Sequence, residues 1–153
     1  MEEREARGDE MGELSPGGRR SEAMRAVAET IRNGGDYRWV GIYEVSETEI
    51  AALAWTGSEA PAHPRFPVSR GLCGAAVAAR APVVVGDVRN DPRYLTTFGS
   101  TRSEVVVPIL GPGGEALGLV DVESELPDAF GEKDLRFLEG CAAALAQVFG
   151  RDL

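Results

Sequence analysis

Three acidic side chains carry the strongest chemical signal in this sequence. Asp121 and Glu123 alternate with two valines along a strand-like segment, so both carboxylates share one face of the strand. Glu104 begins another strand-like segment. Carboxylates in a half-buried site need a cationic partner such as an ammonium group. Two acids opposite two valines are equally typical of the solvent-facing side of a two-layer sheet, and the sequence leaves both interpretations open.

Aromatic and basic residues could complete a small-molecule site around these acids. Trp39 and Tyr43 are four residues apart on a predicted strand and therefore share one face, where they either wall a ligand or belong to the core. Aromatic walls suit a thioether, a sulfoxide or a cation. Four arginines could pair with a ligand carboxylate, namely Arg70, Arg89, Arg93 and Arg102.

The two cysteines differ in what they offer. Cys73 lies among aliphatic neighbours, which is more typical of a small buried side chain than of a catalytic thiol, and it is a weak candidate for catalysis. Cys141 lies four residues before Leu145 on a predicted helix, and we expect it in the core. One histidine and two cysteines supply no metal-ligand spacing, so we predict neither a metal nor another cofactor.

The hydrophobic pattern predicts the elements that position these residues. Strands are predicted over Arg38–Val45, Glu49–Thr56, Val83–Val85, Glu104–Leu110 and Ala116–Val122, and helices over Ser21–Gly34, Leu72–Arg80 and Glu132–Phe149. Hairpin connections between the strands predict an antiparallel sheet. The terminal helices must then cover one face of it. We predict an α+β domain whose other face carries a pocket covered by the long loop Gly86–Ser103 and the short helix.

The last predicted helix also indicates a partner. Its apolar residues are spaced by three and four in turn, as in a coiled-coil seam, at Leu135, Leu138, Ala142, Leu145 and Phe149. The pattern favours a homodimer that forms through the terminal helices.

Composition and charge exclude several classes of protein. The 153 residues carry a net charge of -9, which argues against a nucleic-acid-binding protein. No apolar run is long enough to span a membrane, and the N-terminus lacks the apolar region of a signal peptide, so we predict a cytoplasmic location. Residues 1–20 mix charges with Ser-Pro-Gly-Gly and are predicted to form a disordered tail before a domain over residues 21–150.

Five segments, in order along the chain, resemble the GAF domain, a small-molecule-sensing relative of PAS domains. They are Arg38–Tyr43, Gly71–Gly74, Gly86–Val88, Arg102–Ile109 and Gly118–Ser124. The resemblance covers residues 21–150 and implies a GAF/PAS-like fold. Within the family, the chain is most similar to free methionine-(R)-sulfoxide reductases, which are stand-alone GAF enzymes that reduce the free oxidised amino acid by cysteine chemistry.

This resemblance implies roles for the residues of the proposed site. Trp39 and Tyr43 match the positions that wall the substrate in the reductases, and Glu104 and Asp121 match the carboxylates that hold its ammonium group. Glu123 stands where the reductases usually have an aspartate, which is one methylene shorter.

The same resemblance implies that the catalytic cysteine is missing. The reductases have a cysteine ten residues before the one that matches Cys73, and the catalytic cysteine about twenty-four residues after it. His63 and Thr97 occupy those positions here. Sulfoxide reduction needs a thiolate nucleophile and a resolving thiol, and a threonine hydroxyl replaces neither.

We therefore expect a non-catalytic, small-molecule-sensing or regulatory GAF domain with an amino-acid-like ligand. A signalling protein that acts in trans would be its output partner. The alternative is a divergent free methionine-(R)-sulfoxide reductase that relies on Cys73 and an external thiol. A pairing role for the terminal helices is compatible with the first hypothesis.

Overall fold

The computed structural model describes residues 16–149. Its helices and strands, in chain order, are α1 (Pro16–Gly35), β1 (Trp39–Val45), β2 (Glu49–Trp55), β3 (Arg65–Pro67), α2 (Gly71–Ala79), β4 (Val83–Val85), β5 (Ser103–Leu110), β6 (Ala116–Ser124) and α3 (Glu132–Phe149). A single 3₁₀ turn, Val88–Asn90, lies between β4 and β5. Among these residues, no helix combines the length and the apolar character that crossing a membrane requires.

The six strands form one antiparallel sheet in the order β3-β2-β1-β6-β5-β4. The two long hairpins, β1–β2 and β5–β6, meet in the centre, where β1 pairs with β6. This confirms the predicted α+β fold with its antiparallel sheet. Strand β3 was not predicted, because a three-residue edge strand that ends at Pro67 has the composition of a connector.

Helices α1 and α3 cover one face of the sheet, as predicted. Strand residues that point to this face include Val40, Ile42, Val105, Val107, Val120 and Val122. Four residues of the predicted seam on α3 are buried against them: Leu138, Ala142, Leu145 and Phe149. These four residues of the seam are therefore packed within the chain, while Phe137 and Val148 of the same helix are exposed. A homodimer through the terminal helices stays a prediction.

Helix α1 begins before the predicted N-cap. It starts at Pro16 rather than at Ser21, so residues 16–20 of the predicted tail are helical, while residues 1–15 lie outside the described part of the chain. Proline suits the first helical turn because its missing N–H needs no partner there. Arg20 links this turn to β1 and α3. Its guanidinium forms an ion pair with Glu44 at 3.0 Å and lies 5.3 Å from the ring centre of Phe149. These tertiary contacts are not visible in local composition.

The opposite face is covered by α2 and by the connection from β4 to β5. Leu72 and Ala76 of α2 pack there with Val88 of the 3₁₀ turn against Val106 and Leu119 of the sheet. This second apolar cluster surrounds the polar side chains that the sequence singled out.

Candidate functional site

Three carboxylates meet on the face of the sheet that α2 and the loop cover. Glu104 on β5 lies directly opposite Glu123 on β6 in the strand register. Asp121 lies two pairs further along β6, on the same face of the strand, opposite Gly41 of β1. The exposed fractions of Glu104, Asp121 and Glu123 are 3%, 1% and 1%. The solvent-facing interpretation of these acids is therefore wrong, and they form a buried acidic cluster.

The acidic cluster lacks partners for its charges. The Thr101 hydroxyl donates to Glu123 Oε1 at 2.7 Å. One oxygen of each group, Glu104 Oε1, Asp121 Oδ1 and Glu123 Oε2, has no hydrogen-bond donor among residues 16–149. A buried carboxylate oxygen without a donor costs free energy. Protons shared between the carboxyl groups, a buried water or a cation that enters the site would satisfy these oxygens.

Burial controls the proton affinity of the acidic cluster. It raises the pKa of Glu104 and of Glu123 well above the usual range, and the neighbouring charge of Asp121 raises both further. The Thr101 and Thr97 hydroxyls act in the opposite direction on the pKa of Glu123. Burial also raises the pKa of Asp121, but hydrogen bonds with the two glutamic acids oppose that rise. Burial therefore favours protonation within the acidic cluster as a whole.

Two aromatic residues lie beside the acidic cluster. Trp39 and Tyr43 point to the same face of β1 and are 6% and 2% exposed. The rings flank Gly41, where a Cβ would lie 2.5 Å from Trp39 Cη2 and 3.1 Å from Tyr43 Cε1, so no larger residue fits without moving a ring. The ring centres of Trp39 and Phe98 lie 5.2 Å apart in an edge-to-face contact. The Trp39 Nε1 is buried without an acceptor in the described chain. Both rings belong to the core and also border the acidic cluster.

Cys73 lies next to the acidic cluster, on the first turn of α2. Its Sγ and one carboxylate oxygen each from Glu104 and Asp121 all lie within 4.8 Å of one another. The sequence showed no metal-ligand spacing, yet the fold brings these three potential donors together. Burial raises the pKa of the Cys73 thiol, and the charges of Asp121 and Glu104 raise it further. The thiol form is therefore favoured over the thiolate that a nucleophile requires.

A small cavity of about 20 Å³ lies between Cys73 and two carboxylates of the cluster, Glu104 and Asp121. That volume holds about one water molecule. His63 and Thr97 also line it. The fold thus brings together Cys73 and the two positions where the reductase resemblance implies cysteines, with an imidazole and a hydroxyl in their place.

A larger cavity of about 360 Å³, the outer cavity, borders the acidic cluster at Glu123. Trp39, Phe98 and Thr101 line it from the side of the sheet and the loop. Arg32 of α1 and Arg38, which precedes β1, line it as well. Sequence reasoning missed both arginines, because only the tertiary fold brings the end of α1 beside the end of β6.

The arginines that the sequence proposed as carboxylate partners are placed elsewhere. Arg89 and Arg93 pair with Asp87 and Asp91 of their own loop at 2.8 and 2.7 Å. The hydrogen bonds from Arg89 lower the pKa of Asp87 to about 2. Arg70 lines a separate groove between α2 and the loop. Within the described residues, none of these, nor Arg102, lines either cavity that borders the acidic cluster.

Known proteins are similar in sequence to this chain over most of its length. The chain is 33% identical to Protein ZMO0507 of Zymomonas mobilis over 118 residues, which are 77% of this chain and 70% of that protein. It is 32% identical to the free methionine-R-sulfoxide reductase of Saccharomyces cerevisiae over 110 residues, 70% of this chain and 60% of the yeast enzyme.

A solved structure extends the similarity. The type II free methionine-R-sulfoxide reductase from Thermoplasma acidophilum superposes with a TM-score of 0.82 at 28% identity, covering 91% of this chain and 98% of that one. The family model described as GAF domain matches residues 19–149, which contain every strand of the sheet, the acidic cluster, α3 and all but the first three residues of α1. The chain therefore belongs to the GAF domain family.

Proposed function

We propose that this chain binds a small, amino-acid-like molecule at the acidic cluster and acts as a sensing or regulatory domain without catalysis. The observation that carries this proposal is the burial of Glu104, Asp121 and Glu123 with one undonated oxygen each. An ammonium group brings three N–H donors and a positive charge. It therefore supplies both the missing hydrogen bonds and the missing counter-charge of the carboxylates. Trp39 and Tyr43 then provide an apolar wall for the rest of the ligand.

The positions of the two cysteines support a non-catalytic role. Cys73 belongs to the cluster on the loop-covered face, whereas Cys141 packs on the other side of the sheet with the core of the helix-covered face. These are the only two cysteines of the chain, so no second thiol of its own can resolve a sulfenic acid at Cys73. The raised pKa of Cys73 disfavours the first step as well.

A sensing role requires that the ligand favour one of two states. The cavity between Cys73 and the carboxylates has room for about one water, so a ligand that occupies it must displace the covering loop. Residues of that loop contact the cluster directly, through the Thr101 hydroxyl. The loop is thus the element whose position a ligand would change, and a partner in trans would detect it there.

The second candidate is a free methionine-(R)-sulfoxide reductase that relies on Cys73, and the short distance from Cys73 Sγ to two carboxylates favours it. The Cys73 thiol would take the sulfoxide oxygen, giving a sulfenic acid and methionine. Two equivalents of an external thiol would then restore Cys73, releasing water and a disulfide. The yeast and Thermoplasma relatives bear the name of this enzyme.

A thermal-melt panel tests the first candidate. The ligands are free methionine, both epimers of its sulfoxide, other amino acids and cyclic nucleotides. A ligand at about one hundred times its dissociation constant adds ~2.7 kcal/mol, which raises the Tm of a domain of this size by roughly 5–10 °C. Glu104→Gln should abolish the rise, whereas the exposed Glu47→Gln should retain it. No shift with any ligand would contradict the proposal.

Turnover separates the two candidates. We expect no consumption of methionine sulfoxide in the presence of dithiothreitol. Consumption that Cys73→Ser abolishes would establish the reductase instead, because that substitution leaves the acidic cluster intact.

A further inference from the structure

Cys73 is a buried reactive group on the loop-covered face that the proposed binding function does not use. Its side chain is 5% exposed. Its Sγ and one oxygen each from Glu104 and Asp121 all lie within 4.8 Å of one another. Glu104 Oε1 and Asp121 Oδ1 are buried and have no hydrogen-bond donor among residues 16–149. The three groups therefore have both the composition and the unmet acceptors of a set of metal ligands.

The fold leaves the first turn of α2 little freedom to place Cys73 elsewhere. Gly71 begins this helix with a φ of +75°, a left-handed backbone conformation that favours glycine. At Gly74 a Cβ would lie 2.6 Å from the carbonyl carbon of Ser69, so the turn packs too closely against the preceding backbone to carry a side chain there. The two carboxylates lie on the paired strands β5 and β6. All three donors are thus held in place by regular elements, as a metal site requires.

The space between the three donors has the size of one ion. The cavity there measures about 20 Å³, which excludes an organic molecule but holds a single occupant the size of a water molecule. Zinc binds sulfur at about 2.3 Å and oxygen at about 2.0–2.2 Å, so two donors on one tetrahedral ion lie about 3.5 Å apart. A movement of about 1 Å therefore brings all three donors onto a common ion. His63 and Thr97 also line the cavity and offer hydrogen bonds to a water molecule in the fourth position of the ion.

The chemistry of the donors selects the class of metal. A thiolate is a soft ligand that suits zinc and related divalent transition metals, whereas magnesium and calcium take oxygen ligands. One thiolate and two carboxylates carry three negative charges, of which a divalent cation compensates two and an ammonium group only one. The thiol releases its proton to solvent as the bond between metal and sulfur forms.

We propose that Cys73, Glu104 and Asp121 bind one zinc ion, or another divalent transition-metal ion of the same class, through Sγ and one oxygen of each carboxylate. This metal site goes beyond the proposed function and does not depend on it. Because Glu104 and Asp121 also belong to the acidic cluster, zinc and the ammonium group of a ligand exclude each other there. A zinc-loaded chain is therefore closed to the ligand, and the supply of zinc regulates the site.

Titration of the untagged, chelator-treated chain with Co²⁺ tests the ligation by Cys73. One equivalent of Co²⁺ should produce a thiolate-to-cobalt charge-transfer absorption in the near ultraviolet, and excess Zn²⁺ should remove it by occupying the same site. Cys73→Ser should abolish the absorption. Cys141→Ser is the matched control and should retain it, because Cys141 packs on the other side of the sheet.

Competition with a chromophoric chelator measures the zinc affinity and tests the two carboxylates. Glu104→Gln and Asp121→Asn should each weaken zinc binding at least about tenfold, since even groups that only orient metal ligands contribute about ten- to a hundredfold. Glu47→Gln, in the exposed β1–β2 turn, should leave the zinc affinity unchanged. Metal-free variants that melt no lower than the native chain exclude misfolding as the cause of a lost affinity.

The outcomes separate the metal site from the proposed function. The absence of a charge-transfer absorption, an absorption that depends on Cys141, or an unchanged zinc affinity in Glu104→Gln would each overturn the metal site. The proposed function would then still stand on the thermal-melt panel, run on the metal-free chain. Zinc binding together with no melting shift for any organic ligand would confirm the metal site and overturn the proposed function.

Discussion

The two faces of the sheet are both buried, but burial has opposite consequences on them. On the helix-covered face, valines and isoleucines of the strands pack against α1 and α3, which stabilises folding in proportion to the apolar area removed from water. On the loop-covered face, the same strands bury Glu104, Asp121 and Glu123 without enough donors, which opposes folding. The three carboxylates, whose burial opposes folding in the free chain, mark the place where a ligand can offset that cost. The first face therefore supports the fold and the second supports binding.

The largest expected effect comes from a cavity in the helix-covered face. Leu138 of α3 is completely buried there, so Leu138→Ala should lower the free energy of unfolding by about 2–5 kcal/mol. Urea denaturation measures this loss, and calorimetry below the transition should show unchanged ligand affinity. Val148→Ala, at a position that is 40% exposed on the same helix, should change stability by less than about 0.5 kcal/mol. A change of ligand affinity in Leu138→Ala would show that the helix-covered face also contributes to binding.

The next-largest expected effect is an increase in the free energy of unfolding, caused by a substitution on the loop-covered face. Glu123→Gln keeps the shape of the side chain but removes an ionisable group whose burial is costly at pH 8, where the unfolded chain carries it ionised, so at that pH the substitution should raise the free energy of unfolding by about 1–3 kcal/mol. The same substitution should remove ligand binding. Glu47→Gln, in the exposed β1–β2 turn, should alter neither quantity. Destabilisation by Glu123→Gln at pH 8 would show that the buried charge already has a partner.

The pH dependence of stability tests the same face in the native chain. Burial raises the folded-state pKa of Glu104 and Glu123, so between the unfolded and folded pKa values the folded chain binds more protons. Stability should therefore be greatest near pH 5 and fall toward pH 8, by about 1.4 kcal/mol per pH unit for each proton held only in the folded state. Asp87, with its pKa lowered to about 2, has the opposite sign, but it acts only below about pH 4.

Denaturation series from pH 5 to pH 8 check this expectation. The loss of unfolding free energy per pH unit should be smaller in Glu123→Gln, which has one fewer carboxyl group with a raised pKa. In the native chain, affinity for an amino acid should rise over the same interval, because the incoming ammonium group displaces protons from the acidic cluster. Stability that increases toward pH 8 would mean that the cluster is ionised in the free chain.

Elements fixed by periodicity were predicted well, and contacts fixed by tertiary register were not. Strand β4 and helix α3 have the bounds that the apolar pattern predicts, Val83–Val85 and Glu132–Phe149. The alternation around Asp121 is the same whether the acids face water or a covering loop, so it could not decide between them. Only the pairing of Glu104 with Glu123 across two strands, under a loop without periodicity, buries them.

The arginines show the same limit from another direction. The sequence predicted that arginines in or near the loop would pair with a ligand carboxylate. Arg89 and Arg93 are instead each two residues from an aspartate and form ion pairs with it. Arg32 and Arg38 are remote in sequence from the acids and reach the outer cavity because α1 ends where β1 begins, beside the end of β6. Local spacing predicts local pairs, whereas a cavity is assembled from residues that the topology brings together.

The smallest expected effect returns to the helix-covered face, at the first turn of α1. Arg20→Gln removes the partly exposed ion pair with Glu44 and the contact with the buried Phe149 ring, and should cost about 0.5–1 kcal/mol. Hydrogen exchange should become faster at residues 18–20, while Arg136→Gln should leave it unchanged. Ligand affinity should stay constant, because the Phe149 ring that Arg20 contacts belongs to the core of the helix-covered face. A lost affinity in Arg20→Gln would mean that displacing α1 also displaces Arg32 at its other end, and the two faces would then be coupled through that helix.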